Sequence, residues 1–280
     1  MPYARIITLT SLAMIAFAAN SLLCRAALQH TSIDAASFTT IRLVSGAMML
    51  WLVVRMRRNT SAGTGNWLSA FALFAYAAGF SFAYISLPAA TGALLLFGAV
   101  QATMIGYGLF IGERLRKSQL VGLVLALVGL VGLLLPGLSA PPLYGSVLML
   151  GAGVAWGIYS LRGKGVGDPT KVTAGNFLRA VPITAALSLL TLNHSSLDIA
   201  GFWYGVSSGA LASGFGYIIW YTALPALKAA TSATVQLSVP VIAALGGIVF
   251  LGEPITLRLV LASTAILGGI AMVILEKNRQ

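Results

Sequence analysis

Charge is what this sequence has least of. Asp, Glu, Lys and Arg make up 8% of its 280 residues, against roughly 25% in an ordinary soluble domain. So few charges cannot cover a water-exposed surface of this size, while hydrophobic residues supply 58% of the chain. The surface is therefore one that lipid covers. A spanning helix takes about 20 apolar residues, so the length allows about ten spans joined by short loops.

Acids are scarcer than bases, and their positions matter more than their number. Asp34, Glu113, Asp168, Asp198, Glu253 and Glu276 are the full set, and each falls at a span end or in a loop. A carboxylate at mid-membrane is the usual mark of a proton relay or of a site for cationic drugs. Its absence excludes that kind of multidrug pump and leaves facilitation down a gradient, or exchange. The single cysteine, Cys24, excludes an intrachain disulfide. Two histidines, His30 and His194, lie far apart in polar connectors and form no metal motif. No Ser/His/Asp set and no phosphate-binding Gly-Lys-Ser loop is present, so we expect neither an enzyme nor a built-in ATP motor, and no cofactor.

What is present in quantity is long apolar runs. Read against polar breaks, they place helices at 5–27, 34–54, 67–87, 89–111, 118–135, 142–162, 171–191, 199–223, 226–251 and 256–276. Lipid admits only helices or closed barrels, and runs of about 20 without strict alternation are helices. The first run, from Ile6 to Cys24, exceeds the 7–15 residues of a signal-peptide core and is expected to stay as a span. The net charge of +11 then reads as topology, not as affinity for nucleic acid. Arg55, Arg57, Arg58, Arg114, Arg116, Lys117, Arg162, Lys164, Lys171, Lys228, Lys277 and Arg279 follow even-numbered spans, and Arg5 precedes the first. Arg258 stands against the pattern. The bias predicts that both termini are cytoplasmic.

The second half repeats the first. Ala90-Thr91-Gly92-Ala93 matches Ala230-Thr231-Ser232-Ala233, and Gly112-Glu113 matches Gly252-Glu253, at an offset of 140. Tyr84, Leu87-Pro88-Ala89 matches Tyr221, Leu224-Pro225-Ala226 at 137. The expected units are 1–140 and 141–280. A repeat with an odd number of spans re-enters the membrane from the other side, so the halves are inverted about an axis in the membrane plane, the arrangement that supports alternating access. The fold expected is all-α: ten transmembrane helices as two inverted five-helix repeats.

These Leu-Pro-Ala helix starts at Pro88 and Pro225, the Gly-Glu ends, and the stretch Ala152-Gly153-Val154-Ala155-Trp156-Gly157 resemble the drug/metabolite transporter superfamily in its ten-helix EamA-type branch. By general likeness along the chain it is most similar to the YddG-type exporters of aromatic and other amino acids. The resemblance implies a secondary transporter exporting neutral amino acids across the bacterial inner membrane, as monomer or homodimer. Other metabolites or amphiphilic drugs on the same fold, or a non-saturating channel, are the alternatives.

Candidate site residues are the polar and aromatic groups at mid-span. Arg42 and Arg179 hold similar places in the second span of each half; either could meet a substrate carboxylate or simply cap carbonyls. Tyr76, Phe80 and Tyr84 recur every four residues on one face. Phe80 and Tyr84 match Tyr217 and Tyr221 across the repeat, Trp156 and Tyr159 lie one turn apart, and Phe17 and Asn20 hold the equivalent places on the first span. Rings could line a cavity for apolar side chains; plain packing explains them equally. Asn20, Gln101, Gln236 and the less central Asn176 suit the ends of a zwitterion, or interhelical hydrogen bonding. Pro88, Pro182, Pro225 and Pro240 are candidate hinges, with Pro182 and Pro240 interrupting spans. Gly129, Gly132 and Gly268-Gly269 suit close helix approach.

Overall fold

The computed structural model describes residues 3–57, 64–112, 116–137, 140–163, 167–227 and 235–277. Arg58, Glu113, Arg114, Lys164, Lys228, Arg279 and the Ala230-Thr231-Ser232-Ala233 match lie outside the described residues. Among the described residues there is no strand. The helices are α1 (Tyr3–His30), α2 (Ala35–Met56), α3 (Trp67–Tyr84), α4 (Ala89–Phe110), α5 (Lys117–Leu134), α6 (Leu143–Arg162) and α7 (Pro169–Leu190). They continue with α8 (Ile199–Val206), α9 (Gly216–Ala223), α10 (Ser238–Leu251) and α11 (Leu257–Lys277). Eight are long and apolar enough to cross a membrane. α8 and α9 form a further continuous span, joined by a π-helical segment, Ser207–Phe215. α10 supplies 14 residues of the remaining one.

Two expectations need correcting. The ninth span does not run unbroken from residue 226. Leu224–Ala226 is a 3-10 turn, and Leu227 after it is extended at φ −103° and ψ 136°, which ends the helical hydrogen bonding. Residues 235–236 are helical, Leu237 is a turn, and α10 runs from Ser238, so the helical run is broken just ahead of Pro240, whose ring and missing N–H disfavour an unbroken helix there. α1 is also longer than its apolar run: His30 is its last residue, not part of a connector.

The packing has the symmetry that inverted halves require. Helices in corresponding places meet across the pseudo-axis: α2 with α7, α4 with α10, and α5 with α11. The larger of the remaining contacts come in matched pairs. α3 packs on α6 as the α8–α9 span packs on α1, and α4 packs on α6 as α10 packs on α1. The result is a two-repeat, multi-pass helical membrane fold in which α1, α3, α4, α6 and the π segment surround the centre.

Connectors confirm which helix ends lie together. The Asp34 N–H donates to Ser196 O (3.0 Å), Arg258 Nη1 donates to Leu135 O (2.7 Å), and the Ala89 N–H donates to Glu253 Oε2 (2.8 Å). At the opposite end Arg57 Nη1 donates to Thr170 Oγ1 (3.1 Å) and Arg162 Nε to Ser69 Oγ (3.2 Å). Asp34 is the tie at the first end. Its side chain accepts from Ala36 and Ser37 as the α2 N-cap, and from Ser196 across the halves. Burial alone would raise this carboxyl, but the N–H donors of Ser37, Ser196 and Ala36 outweigh it and hold it below its ordinary value near 3.8. A depressed carboxyl stabilises above the unfolded value, and the contribution is lost as pH falls through the depressed one. Asp34→Ala should therefore cost about 1 kcal/mol at neutral pH, and the difference from wild type should shrink in thermal melts as the pH is taken progressively below 3.8.

α5 and α11 meet backbone to backbone. A Cβ on Gly122 would lie 2.5 Å from Gly269 O, and one on Gly269 would collide with Gly122 O and lie 2.7 Å from Ala126 N. Gln119 Nε2 bridges the same pair, donating to Val273 O (3.0 Å). Gly129 meets Ala265 and Ile266, whereas Gly132 and Gly268 have nothing within 4 Å. Gly269→Leu should force the pair apart and cost at least about 1–3 kcal/mol, read as a lower unfolding midpoint in detergent, while Gly268→Leu should be close to neutral.

Candidate functional site

A small cavity lies where the middle turns of the halves converge. Phe17 and Asn20 of α1, Tyr76 and Phe80 of α3, Leu96 and Phe97 of α4, and Trp156 of α6 line it. Ala212 and Ser213 of the π segment and Tyr217 of α9 complete the wall. Its volume is about 20 Å³, room for about one water. This conformation is therefore closed around the centre, and a larger occupant requires the halves to separate.

The wall is built from stacked rings. Trp156 packs on Tyr76 at 4.8 Å between centroids, on Tyr217 at 5.2 Å and on Tyr159 at 5.3 Å. Phe17 reaches Tyr217 and Trp220 edge-on at 6.0 Å each. Tyr76 and Phe80 lie 5.5 Å apart, and Phe80 meets Tyr84 at 4.7 Å. Such pairs contribute about 0.5–1.5 kcal/mol each beyond the area they bury. Trp156 thus joins α3, α6 and α9 in one contact.

One polar cluster interrupts the rings. Arg42 of α2 is 1% exposed. Its guanidinium lies 5.0 Å from the Tyr76 ring centre and 4.8 Å from that of Phe80, and Nη2 donates to the Tyr76 hydroxyl (2.8 Å). Asn20 Nδ2 donates to the same hydroxyl (3.2 Å), and Ser208 donates to Asn20 Oδ1 (2.5 Å). Two groups at the cluster have no partner: Arg42 Nη1 and Ser213 Oγ. The π segment makes this geometry. Gly209 lets it press against the Arg42 carbonyl of α2, where any Cβ would collide, and the widened turns bring both Ser208 and Ser213 inward. π turns of this kind collect at functional sites.

The structure brings six of the sequence candidates to the cavity wall: Phe17, Asn20, Tyr76, Phe80, Trp156 and Tyr217. Arg42 stands directly behind Tyr76 and Phe80. The others lie elsewhere. Arg179, midway along α7, donates to Thr64 O ahead of α3 and to Gly175 O of its own helix, and so caps carbonyls. Tyr84 donates to Ala89 O. Tyr159 accepts from Asn176 (3.4 Å), and Asn176 Oδ1 accepts from the Asn66 N–H (2.9 Å), so Asn176 binds helices together. Gln101 is buried on α4 and Gln236 precedes α10, both outside the wall, as is Tyr221. Pro88 is the N-cap of α4, Pro182 is inside α7, and Pro225 is in the 3-10 turn. The sequence reading missed Leu96, Phe97, Ser208 and Ser213. The two serines sit in a Ser/Gly/Ala string that reads as packing.

A second, larger void of about 220 Å³ opens among helix ends, bordered by Ser86, Thr91, Leu133, Glu253, Thr256 and Leu259. Its one charged group, Glu253, is already paired with Arg25 (3.2 Å). It reads as a vestibule at one membrane face; the unpartnered Ser213 hydroxyl is at the wall of the central cavity, and the unpartnered Arg42 Nη1 is behind it.

Comparison with known proteins gives the same architecture. The model of the EamA-like transporter family matches residues 4–135 and again 143–275. An uncharacterized protein of Pseudomonas aeruginosa is 58% identical over 275 residues, covering 98% of this chain and 96% of that one. The threonine/homoserine exporter RhtA of Escherichia coli is 36% identical over 160 residues, covering 54% of this chain and 53% of its own. A crystal structure of a protein 18% identical superposes with a TM-score of 0.69 over 99% of each chain, a likeness of fold.

Proposed function

The chain belongs to the EamA-like transporter family, and on that premise we propose that it is a secondary transporter exporting neutral amino acids from the bacterial cytoplasm by alternating access. The central cavity is the substrate site, in its closed form. The observation that carries this reading is the wall itself: rings for an apolar or small side chain, and one cluster of hydrogen-bond donors around Arg42, Tyr76 and Asn20 for a charged end. No described residue offers a carboxylate at this depth, which a site for cationic drugs would need.

The range of substrates spans two kinds of neutral amino acid. The likeness to a threonine/homoserine exporter over about half the chain favours small hydroxylated ones. The ring-lined wall, with the general likeness to YddG-type exporters, favours aromatic ones. The halves 1–140 and 141–280 act as the moving units, Pro88, Pro182, Pro225 and Pro240 are where curvature can change, and both termini face the cytoplasm.

Counterflow in proteoliposomes tests this. Unlabelled phenylalanine or threonine is loaded inside, and a trace of labelled amino acid is added outside. Transient accumulation that saturates and is blocked by other neutral amino acids is the expected result. Correctly inserted protein that accumulates neither would overturn the amino-acid reading in favour of other metabolites or amphiphiles. Flux without saturation would make the protein a channel.

A further inference from the structure

The hydrogen bonds in the cavity have a direction, and the direction names the end of the substrate they hold. Asn20 can be oriented from its distances. Its contact with Ser208 is 2.5 Å, within the range of O–H···O bonds and too short for N–H···O. The amide oxygen therefore takes the serine proton, and Nδ2 faces Tyr76 at 3.2 Å. The Tyr76 oxygen then accepts twice, from Asn20 Nδ2 and from Arg42 Nη2 (2.8 Å). With both acceptor positions filled, its own proton can only be donated onward.

What remains uncommitted is a set of donors: the Tyr76 O–H, the second N–H of Asn20, and the Arg42 Nη1 group, which has no partner. Ser213, at the wall with its hydroxyl unpartnered, adds a group that can donate or accept. The acceptor of the cluster, Asn20 Oδ1, is already used. Arg42 also carries a buried positive charge whose hydrogen bond and ring contacts are with Tyr76 and Phe80, neither of them an anion. A buried cation with no anion beside it is incomplete, and Arg42 stands directly behind the cavity wall at Tyr76 and Phe80.

We infer that this cavity recognises its substrate by the carboxylate alone, so that it takes monocarboxylates, 2-hydroxy acids as well as amino acids, and rejects the corresponding amines. This rests on the amino-acid reading of the same cavity. A carboxylate offers acceptors for all the free donors and cancels the charge of Arg42. An ammonium could be accepted by a serine hydroxyl, but it would meet the like charge of Arg42, and no acid there would offset that.

A matched series decides it. Phenylalanine, 3-phenyllactate (which lacks the ammonium) and phenethylamine (which lacks the carboxylate) compete against labelled phenylalanine in counterflow. The expected result is inhibition by 3-phenyllactate within about 10-fold of phenylalanine, and by phenethylamine at least about 100-fold weaker. Tyr76→Phe keeps the ring and removes the donor, so it should weaken both acids by about 10-fold without changing the amine. Phenethylamine competing as well as phenylalanine, or 3-phenyllactate failing to compete, would overturn the inference while leaving amino-acid transport intact. Absence of any phenylalanine exchange would sink the amino-acid reading, and melting of the purified protein then decides the inference separately. Stabilisation by 3-phenyllactate and not by phenethylamine sustains it; stabilisation by the amine, or by neither compound, overturns it.

Discussion

Arg42→Gln will slow amino-acid counterflow by at least about 30-fold while leaving the protein as stable as the wild type or more so. Truncating one partner of a buried charge pair costs about 2–5 kcal/mol of the interaction it serves, and here the missing partner is the substrate. The stability side has the opposite sign. Arg42 is 1% exposed, its Nη1 is unsatisfied, and its compensation is one hydrogen bond to Tyr76 and two ring contacts. Ring contacts return about 0.5–2 kcal/mol each, less than an ion loses on leaving water. Glutamine keeps a donor for Tyr76 and removes the charge. Arg42→Lys should fail almost as badly in transport, because an ammonium cannot hold Tyr76 and a carboxylate in the same forked plane. Unfolding midpoints in detergent and counterflow rates on the same preparations separate the two roles. If Arg42→Gln melts lower and the surviving protein transports at the wild-type rate, Arg42 is a packing residue.

Arg42 also shows where sequence reading stops. Arg42 and Arg179 occupy corresponding places in the repeat, and nothing in composition distinguishes them. The fold does so by placing the residue 64–66 segment against α7, where Arg179 caps Thr64 O and Gly175 O, and the π segment against α2 at Arg42. Repeat symmetry is thus legible as architecture and broken at the site by local backbone. The spans themselves were legible because lipid demands unbroken apolar length, and their bounds agree within a few residues for most helices. The ninth was not, because hydropathy reports which side chains tolerate lipid and not whether the backbone continues; the extended Leu227 lies inside an apolar run. The ring cluster could be seen as a face of α3, since Tyr76 and Phe80 share a spacing of four. Ser208 and Ser213 could not, because they share the cavity only in a π-helical register, whose wider turns a 3.6-residue period does not describe. Gln101 and Gln236 stand out in the sequence as polar at mid-span, and polarity alone does not fix which way a helix face turns.

Glu253→Ala will lower stability by about 3–5 kcal/mol, the range for breaking a buried pair and leaving one charge unpaired. Glu253 follows Gly252, whose left-handed φ of +63° turns the chain at the end of α10, and its N–H returns to Gly247 O (3.0 Å). That turn aims the carboxylate back at the first half. One oxygen receives Arg25 Nε (3.2 Å) and the other the Ala89 N–H at the start of α4 (2.8 Å). Arg25 in turn donates from Nη1 to the Tyr84 and Ile85 carbonyls that end α3 (3.0 and 3.1 Å). Three helix ends and the body of α1, drawn from both halves, meet on one guanidinium and one carboxylate, with side chains only 13% and 9% exposed. Removing the acid strands Arg25; removing both charges does not. Arg25→Met with Glu253→Leu should therefore be more stable than Glu253→Ala alone, and a double-mutant cycle on unfolding midpoints measures the coupling. A double variant as unstable as the single would mean that the carbonyl and N–H contacts carry the latch and the ion pair does not. The same latch closes the membrane face at which the 220 Å³ vestibule opens, so any conformation that empties the central cavity on that side must first break it. Arg25→Met with Glu253→Leu should accordingly raise the accessibility of a cysteine placed at Thr91 to a membrane-impermeant thiol reagent, whereas a latch that stays shut in transport would leave that labelling unchanged.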